Sequence, residues 1–318
     1  MQHKHRVIPI FMPMLACPHR CIYCNQYVIS GQQKLPTEKE VLAQIDSYLS
    51  TMRDNVEKRI AFFGGSFTCL PLDVQNRYLD IVQPFLKESV VSGIQLSTRP
   101  DYINEDILYN LKNKGVTLIE LGAQSLNDQI LSYSERGHTV ENVKNASKQI
   151  LDFDILLGLQ MMIGLPMDTK EKSMQTAQMI VDFGATYTRI YPTIVVKGTE
   201  LAELYTKGQY KPLELKEAVD WCKELYLFFN NHNINILRMG LHPTKDLREG
   251  ENLIAGPFHI SFKELVLTSI WRDKIKDIIK KSNKKIIKIE VPKEEVNYAI
   301  GYNSANKREF PNVLFEIV

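Results

Sequence analysis

The sequence lacks the features that would assign it to a special class of protein. Its 318 residues include only 2 Trp and 5 Cys, and the net charge is +2 with 24% charged residues. No apolar run approaches the roughly 18 residues of a membrane-spanning helix, and residues 1–6 lack the apolar core of a signal peptide. With 44% hydrophobic residues, the composition predicts a cytoplasmic globular protein, with no membrane association, and excludes a disordered or disulfide-rich chain.

Apolar runs alternate with amphipathic stretches along most of the chain. The apolar runs that predict strands are 7–13, 60–63, 94–97, 118–121, 156–163, 190–196 and 234–237. The amphipathic stretches that predict helices are 38–53, 72–88, 105–113, 140–151, 170–183 and 213–231. This alternation predicts repeated βαβ units in an α/β fold, with parallel strands buried on both faces. The periodicity alone leaves open a partial (β/α)6 TIM-like barrel and a doubly wound sheet.

The character of the sequence changes after about residue 241, which suggests a barrel at 1–240 and a C-terminal extension at 241–318. The extension is expected to form a small α/β lobe from a strand, a helix and a strand, at 286–291, 293–308 and 313–318. Its segment 272–289 carries eight Lys or Arg against two Asp. Such segregated charge is either a solvated lysine-rich face or a basic surface for RNA or another polyanion.

Three of the five cysteines, Cys17, Cys21 and Cys24, lie within eight residues directly after the first predicted strand. In a reducing compartment this clustering predicts metal binding rather than disulfides, and thiolates suit zinc or an iron–sulfur cluster. A structural zinc site needs four ligands, and His19 is available as the fourth. A 4Fe–4S cluster held by only three thiolates instead leaves one iron open to a substrate or cofactor. Both interpretations stand at this point.

The C-x3-C-x2-C spacing, with Tyr23 before the third cysteine, resembles the radical S-adenosylmethionine superfamily. The resemblance implies that Cys17, Cys21 and Cys24 bind a 4Fe–4S cluster, with S-adenosyl-L-methionine on the open iron and Tyr23 near its adenine. In that superfamily, reductive cleavage of the cofactor gives a 5′-deoxyadenosyl radical, which abstracts a hydrogen atom from the substrate. An electron donor such as flavodoxin or ferredoxin is then required. With this resemblance we expect the partial barrel.

Further residues at the ends of successive strands match the cofactor contacts of that superfamily. The resemblance implies that a glycine pair meets the methionyl amino group, that three polar side chains bind the ribose hydroxyls and that an arginine binds the methionyl carboxylate: Gly64 and Gly65; Ser97, Gln124 and Gln160; and Arg136. The chemistry agrees, because amides suit hydroxyl groups and a guanidinium fork suits a carboxylate. Ser97 departs from many relatives, which have an acidic residue there. His138 is either a neighbour of a helix cap or a catalytic base.

Several longer blocks resemble the radical domain of the Elongator catalytic subunit, which modifies wobble uridines in transfer RNA. These blocks are 97–102, 120–125, 136–139 and 191–199. The Elongator protein has a wider gap between its first two cysteines and an acetyltransferase domain, which we do not expect in a chain of 318 residues. Its reaction therefore does not transfer, and an RNA substrate is an expectation supported by the basic segment.

Two alternatives remain from the sequence. Oxygen-independent coproporphyrinogen oxidase shares the matches at Gln124 and Arg136, but those enzymes add a cysteine two residues after the third, where this chain has Gln26. A non-enzymatic metal-binding protein that binds RNA through the basic segment is the second alternative. A second all-cysteine cluster is not expected, because only Cys69 and Cys222 are left over.

Overall fold

The computed structural model describes residues 6–13, 17, 19–25, 34–53, 56–242, 247–248, 250–282 and 285–318. Its strands are β1 (Arg6–Met12), β2 (Lys58–Gly64), β3 (Gly93–Thr98), β4 (Val116–Gln124), β5 (Leu156–Ile163), β6 (Tyr187–Pro192), β7 (Val195–Val196), β8 (Asn235–Met239), β9 (Leu253–Ala255), β10 (Ile287–Val291) and β11 (Val313–Ile317). Seven of them form one parallel sheet in the order β1-β2-β3-β4-β5-β6-β8. Strands that follow each other without a reversal of order build a partial barrel rather than a doubly wound sheet, so the expected architecture is confirmed with a seventh strand.

The described helices are α1 (Glu38–Leu49), α2 (Leu72–Lys87), α3 (Glu105–Asn113), α4 (Asp128–Tyr133), α5 (Val140–Asp152), α6 (Lys170–Asp182), α7 (Glu200–Thr206), α8 (Leu215–Asn231), α9 (Phe262–Lys280), α10 (Val296–Ile300) and α11 (Ala305–Glu309). The six predicted in the barrel are present, and α4, α7 and α9 are additional. None of the helices in the described ranges has both the length and the apolar composition to span a membrane.

The two faces of the sheet differ in chemistry. In β5, Leu157, Leu159 and Met161 are fully buried and join the core formed with the surrounding helices. The side chains between them lie on the opposite, concave face, where polar residues replace the expected apolar ones. These polar residues are Gln95, Ser97, Glu120, Gln160 and Arg189. The prediction of strands buried on both faces agrees with Gln95 and Glu120, which are buried on the concave face, but polar side chains line that face.

The C-terminal lobe has a core of its own and shares a helix with the barrel. Phe262 and Val266 of α9 belong to the barrel core, whereas Trp271 and Ile275 of the same helix belong to the lobe core with β10 and β11. The two strands pair in parallel, which confirms the βαβ lobe. The predicted continuous helix at 293–308 is wrong, because positive φ angles at residues 301, 303 and 304 divide it. Residues 283–284 of the basic segment lie outside the described residues.

Candidate active site at the cysteine loop

The loop that carries the three cysteines follows β1. Backbone hydrogen bonds hold it to two other segments of the chain. The Ile22 amide donates to the Ser134 carbonyl at 3.3 Å, and the Leu201 amide donates to the Ile22 carbonyl at 2.8 Å. Ile22 and Tyr23 are buried in a small apolar cluster with Leu201. The loop is thereby fixed between the turn after α4 and the start of α7. Gln26, beyond the third cysteine, lies outside the described residues.

The three thiols share this loop without meeting at one point. Cys21 is buried, whereas Cys17 and Cys24 are partly exposed, and none of the three forms a disulfide. The Cys17 thiol donates to the His19 carbonyl at 3.3 Å. No three His, Cys, Asp or Glu side chains in the described ranges lie close enough together to hold one metal ion.

Arg136 places a buried positive charge beside the loop. Its Nη1 donates to Cys21 Sγ at 3.4 Å, and its Nη2 donates to the Gly122 carbonyl at 2.8 Å. Burial acts to lower the pKa of Arg136, but the nearby Tyr23 and Cys21 outweigh it and the pKa is raised. Burial likewise raises the pKa of Tyr23 well above its usual range.

A second arginine holds the backbone of the first. Arg99 is fully buried, donates to both carboxylate oxygens of Asp101 at 2.9 and 3.0 Å, and donates to the Arg136 carbonyl at 2.7 Å. His19 Nε2 lies 4.0 Å from Asp101 Oδ2. The side chain of His19 thus lies beside Asp101.

Gly137 gives the turn after Arg136 its close contact with the cysteine loop. Its φ is +78°, and a Cβ atom at this position would lie 2.4 Å from the Nδ1 of His19. His138 next to it is buried, and its burial, with Arg136 and Arg99 nearby, lowers its pKa to about 3. His138 is therefore neutral near pH 7 and is enclosed by protein rather than open to solvent.

On the concave face, Glu120 of β4 organises the polar residues. It is 1% exposed and accepts hydrogen bonds from Arg189, Gln95 and Gln160, with Arg189 Nη2 at 2.9 Å from its Oε1 and Gln160 Nε2 at 3.1 Å from its Oε2. Gln160 Nε2 also donates to Ser97 Oγ at 3.0 Å. The sequence analysis missed Glu120 and Arg189 as a pair, although a charged residue within each apolar strand was the available signal.

These contacts fix the hydrogen-bonding polarity of Ser97 and Gln160. A carboxylate only accepts hydrogen bonds, so the Gln160 amide must turn its nitrogen towards Glu120 and keep its oxygen as an acceptor. Because Ser97 Oγ accepts from Gln160, its own hydrogen remains available for donation. The pair therefore offers one donor and one acceptor, which suits two neighbouring hydroxyl groups.

The other predicted contacts lie at the ends of β2 and β4. Gly64 has a φ of +104°, and a Cβ there would lie 2.2 Å from the Met12 carbonyl oxygen. The Gly65 amide donates to that carbonyl at 2.9 Å, which ties the end of β2 to β1. A Cβ at Gly122 would lie 2.8 Å from both Arg136 Nη2 and Gln124 Nε2. Gln124 thus lies close to Arg136, while Ser97 and Gln160 form a second group around Glu120.

An open cleft of about 880 Å³ borders the other side of the cysteine loop. Arg20, Cys21 and Cys24 contribute to its wall, together with Glu135 and residues of α7. Ser97, Gln124 and Gln160 do not line it. Two of the thiols therefore border a space that is separate from the Glu120 group.

Two known family models match most of this chain. Residues 12–180 match the Radical SAM superfamily, and residues 185–272 match the Radical_SAM C-terminal domain. The tRNA uridine(34) acetyltransferase of Methanocaldococcus jannaschii is 27% identical over 254 residues, which are 67% of this chain and 47% of that protein. Elongator complex protein 3 of Saccharomyces cerevisiae is 27% identical over 259 residues, 67% of this chain and 46% of that protein. The chain thus spans about half the length of these curated relatives.

The fold has a counterpart among solved structures. The Elp3 protein of Methanocaldococcus infernus, with its N-terminus deleted, superposes with a TM-score of 0.64 at 21% identity, covering 85% of this chain and 63% of that chain. At this identity the likeness concerns the fold. The resemblance inferred from the motifs is confirmed at the level of the sequence as well, because the superfamily match covers more than half of the 318 residues. The chain belongs to the radical S-adenosylmethionine superfamily of enzymes, and it is similar to the radical region of Elongator complex protein 3.

Proposed function

We propose that this chain is a radical enzyme that modifies transfer RNA. In this proposal Cys17, Cys21 and Cys24 bind a 4Fe–4S cluster, and S-adenosyl-L-methionine binds beside it on the concave face. The observation that carries the proposal is the buried guanidinium of Arg136, which donates to Cys21 Sγ at 3.4 Å at the end of β4. A permanent cation there suits both a thiolate ligand and the carboxylate of an amino-acid cofactor.

The donor set of this chain fits these groups. Three thiols that form no disulfide lie in one loop, and a buried donor beside it, Arg136 Nε, has no hydrogen-bond partner within the described residues. A bound anionic group would satisfy this donor. For Cys17 to join the cluster, its thiol must give up the His19 carbonyl that it contacts at 3.3 Å.

The other predicted site residues hold S-adenosyl-L-methionine in this proposal. When bound, the cluster and cofactor supply an electron and the 5′-deoxyadenosyl radical that abstracts hydrogen. Ser97 and Gln160 hold two ribose hydroxyls through their fixed donor and acceptor, and Gln124 contributes a further amide. Backbone groups at Gly64 and Gly65 meet the methionyl amino group, and Tyr23 lies near the adenine.

The substrate and the organisation of the chain complete the proposal. Transfer RNA is proposed because two relatives that match this chain over about half of their own length are named tRNA uridine(34) acetyltransferase. The electron comes from a flavodoxin or ferredoxin, and cysteines without disulfides suit the reducing cytoplasm. Residues 1–240 form the radical unit, and residues 241–318 form the extension that carries the basic segment.

Anaerobic reconstitution tests the proposal. The protein is loaded with iron and sulfide, reduced with dithionite in the presence of S-adenosyl-L-methionine, and assayed for 5′-deoxyadenosine by chromatography. Cys24→Ala should abolish the product. Cys69→Ala is the matched control, because burial raises the pKa of this thiol to about 12 and leaves it a poor ligand. The control should keep the iron content and the product of the wild type.

The results also decide between substrates. Addition of transfer RNA should increase 5′-deoxyadenosine formation, whereas coproporphyrinogen III should leave it unchanged. Wild-type protein that takes up no iron and sulfide would rule out the radical mechanism. Stimulation by the porphyrinogen alone would reject RNA as the substrate and leave the radical chemistry intact.

A further inference from the structure

Two arginines lie next to each other on the concave face, and only one of them has an acidic partner. Arg189 of β6 and Arg238 of β8 are paired in the register of the two strands, so their side chains lie on the same face. Arg189 forms an ion pair with Glu120. No carboxylate in the described part of the chain forms an ion pair with Arg238. Among the described residues, this wall of the barrel therefore carries a positive charge that has no acidic partner.

The guanidinium of Arg238 is held in place by the backbone. Its Nε donates to the Gly240 carbonyl and its Nη2 to the Leu241 carbonyl, both at 2.9 Å. Neither bond neutralises the charge, and the third nitrogen, Nη1, has no protein partner in the described ranges. An oriented donor of this kind binds a ligand with little further loss of conformational freedom.

Other charged groups near Arg238 do not compensate it. Arg189 is the cation that acts on it electrostatically, and Tyr191 lies within electrostatic range of both guanidinium groups. His242 follows β8, with Arg238 and Arg248 as the charged groups that act on it. Within the described ranges, the charged groups that act on this position are thus cationic, apart from the phenol.

Aromatic rings lie near this position through His242, on which Arg238 acts electrostatically. The Phe11 ring lies 6.2 Å from the His242 ring and 6.5 Å from the Phe63 ring, measured between centroids. The first contact joins β1 to the segment after β8, across the open side of the sheet. Proteins often bind a nucleotide with aromatic rings and an arginine. The rings contact the base, and the guanidinium contacts the phosphate.

We propose that Arg238 binds a phosphate of the RNA substrate and that Phe11 and His242 contact the adjoining nucleoside. This inference rests on the proposed function and goes further by assigning a substrate contact on the β6–β8 wall, next to the Glu120 group and apart from the cysteine loop. A single phosphate contact of this kind should place one nucleotide in the concave face of the sheet.

Binding of a fluorescein-labelled RNA hairpin that contains the anticodon loop tests the proposal on the full chain, measured by fluorescence anisotropy. Arg238→Gln should weaken binding by about tenfold. Arg308→Gln, which removes an exposed arginine of the C-terminal lobe, is the matched control and should change it by less than about twofold. Arg238→Lys keeps a charge at the site and should bind more tightly than Arg238→Gln.

Neutral methylphosphonate linkages, introduced one at a time into the loop, locate the contact. At one linkage the substitution should weaken binding to the wild type by about tenfold, and it should have little further effect on Arg238→Gln. Equal losses in the Lys and Gln variants, or effects that add in full at every linkage, would show a structural role and overturn the proposal. Formation of 5′-deoxyadenosine without RNA is a separate measurement, so failure of the proposed function remains distinguishable.

Discussion

The guanidinium of Arg136 donates through Nη1 to the Sγ of Cys21 at 3.4 Å, across 115 residues of sequence. The same side chain donates to the Gly122 carbonyl, and its own backbone carbonyl accepts from Arg99. Arg136 therefore connects the end of β4, the turn before α5 and the cysteine loop. Removal of its charge should affect the metal centre and the cofactor together.

Arg136→Met should lower both iron retention and cofactor affinity. The variant loses the donor to the Cys21 sulfur and the charged donor for the cofactor carboxylate, so S-adenosyl-L-methionine should bind about tenfold more weakly or worse. Iron and sulfide analysis and equilibrium dialysis are the measurements. Arg59→Met is the control, since Arg59 is also buried but pairs with Glu57 at 2.8 Å. Equal effects in the two variants would contradict the assignment.

Gly137→Ala should loosen the cysteine loop. The positive φ of +78° strains any residue with a Cβ, and that Cβ would fall 2.4 Å from His19 Nδ1. We expect a loss of more than about 1 kcal/mol in the free energy of unfolding, with reduced iron uptake. Gly208→Ala is the matched control, because its φ is +71° with no atom within 4 Å of the added Cβ. Urea unfolding and iron analysis should find a larger effect at 137.

Glu120→Leu should destabilise the protein strongly. It leaves the Arg189 guanidinium without its acidic partner at a nearly buried position, and breaking a buried pair costs about 3–5 kcal/mol. The double variant Glu120→Leu/Arg189→Met should regain a substantial part of this loss. Urea unfolding measures the stability of both variants. A double variant no more stable than Glu120→Leu would show that the ion pair is not the source of the effect.

The same pair should influence cofactor binding through Gln160. Glu120→Gln preserves the size of the side chain but adds amide donors, which compete for the orientation of Gln160. We expect weaker binding of 5′-deoxyadenosine to this variant, with a smaller effect on 2′,3′,5′-trideoxyadenosine, which lacks the two ribose hydroxyls. Isothermal titration calorimetry of both ligands checks this. A uniform loss for the two ligands would indicate general damage to the site.

Asp168 should give the stability a dependence on pH. Burial raises its pKa from 3.8 to about 6, although Ser173 and the Gly164 amide donate to it. The protonated form is therefore favoured by folding, and its contribution is complete below about pH 4 and lost as the pH rises through about 6. The loss amounts to at most about 3 kcal/mol. Urea unfolding from pH 4 to 7 should show this decline in the wild type and less of it in Asp168→Asn.

The strands of the barrel could be predicted because apolar runs and turn residues are local features of the sequence. The short helices α4 and α7 offer too few turns for a periodic pattern. Helix α9 was missed because its buried side chains face two different cores and leave no single apolar stripe. The division of the predicted helix at 293–308 depends on positive φ values at Asn303 and Ser304, which no local sequence pattern predicts.

The candidate site could be predicted only in part. The cysteine spacing is local, and so are the strand ends near Gly64, Ser97 and Gln124, whereas Gln160 lies within β5 and Arg136 in the turn after α4. The ion pair of Glu120 and Arg189 joins residues 69 apart and depends on the register of three strands. The contact between His19 and Gly137 likewise depends on how two loops meet. Such relationships are fixed by tertiary packing, and no short-range pattern carries them.

Helix α9 makes the barrel and the C-terminal lobe a single cooperative system. Val266 lies in one core and Ile275, less than three turns later on the same rigid rod, lies in the other. Melting of the lobe would deprive the end of this rod of its packing and weaken the layer that covers β8 and α8. The amides of α9 should therefore exchange with solvent only through global unfolding. The basic segment begins on α9, which packs directly against the barrel. A polyanion bound to this segment would therefore act on a helix that contacts the sheet.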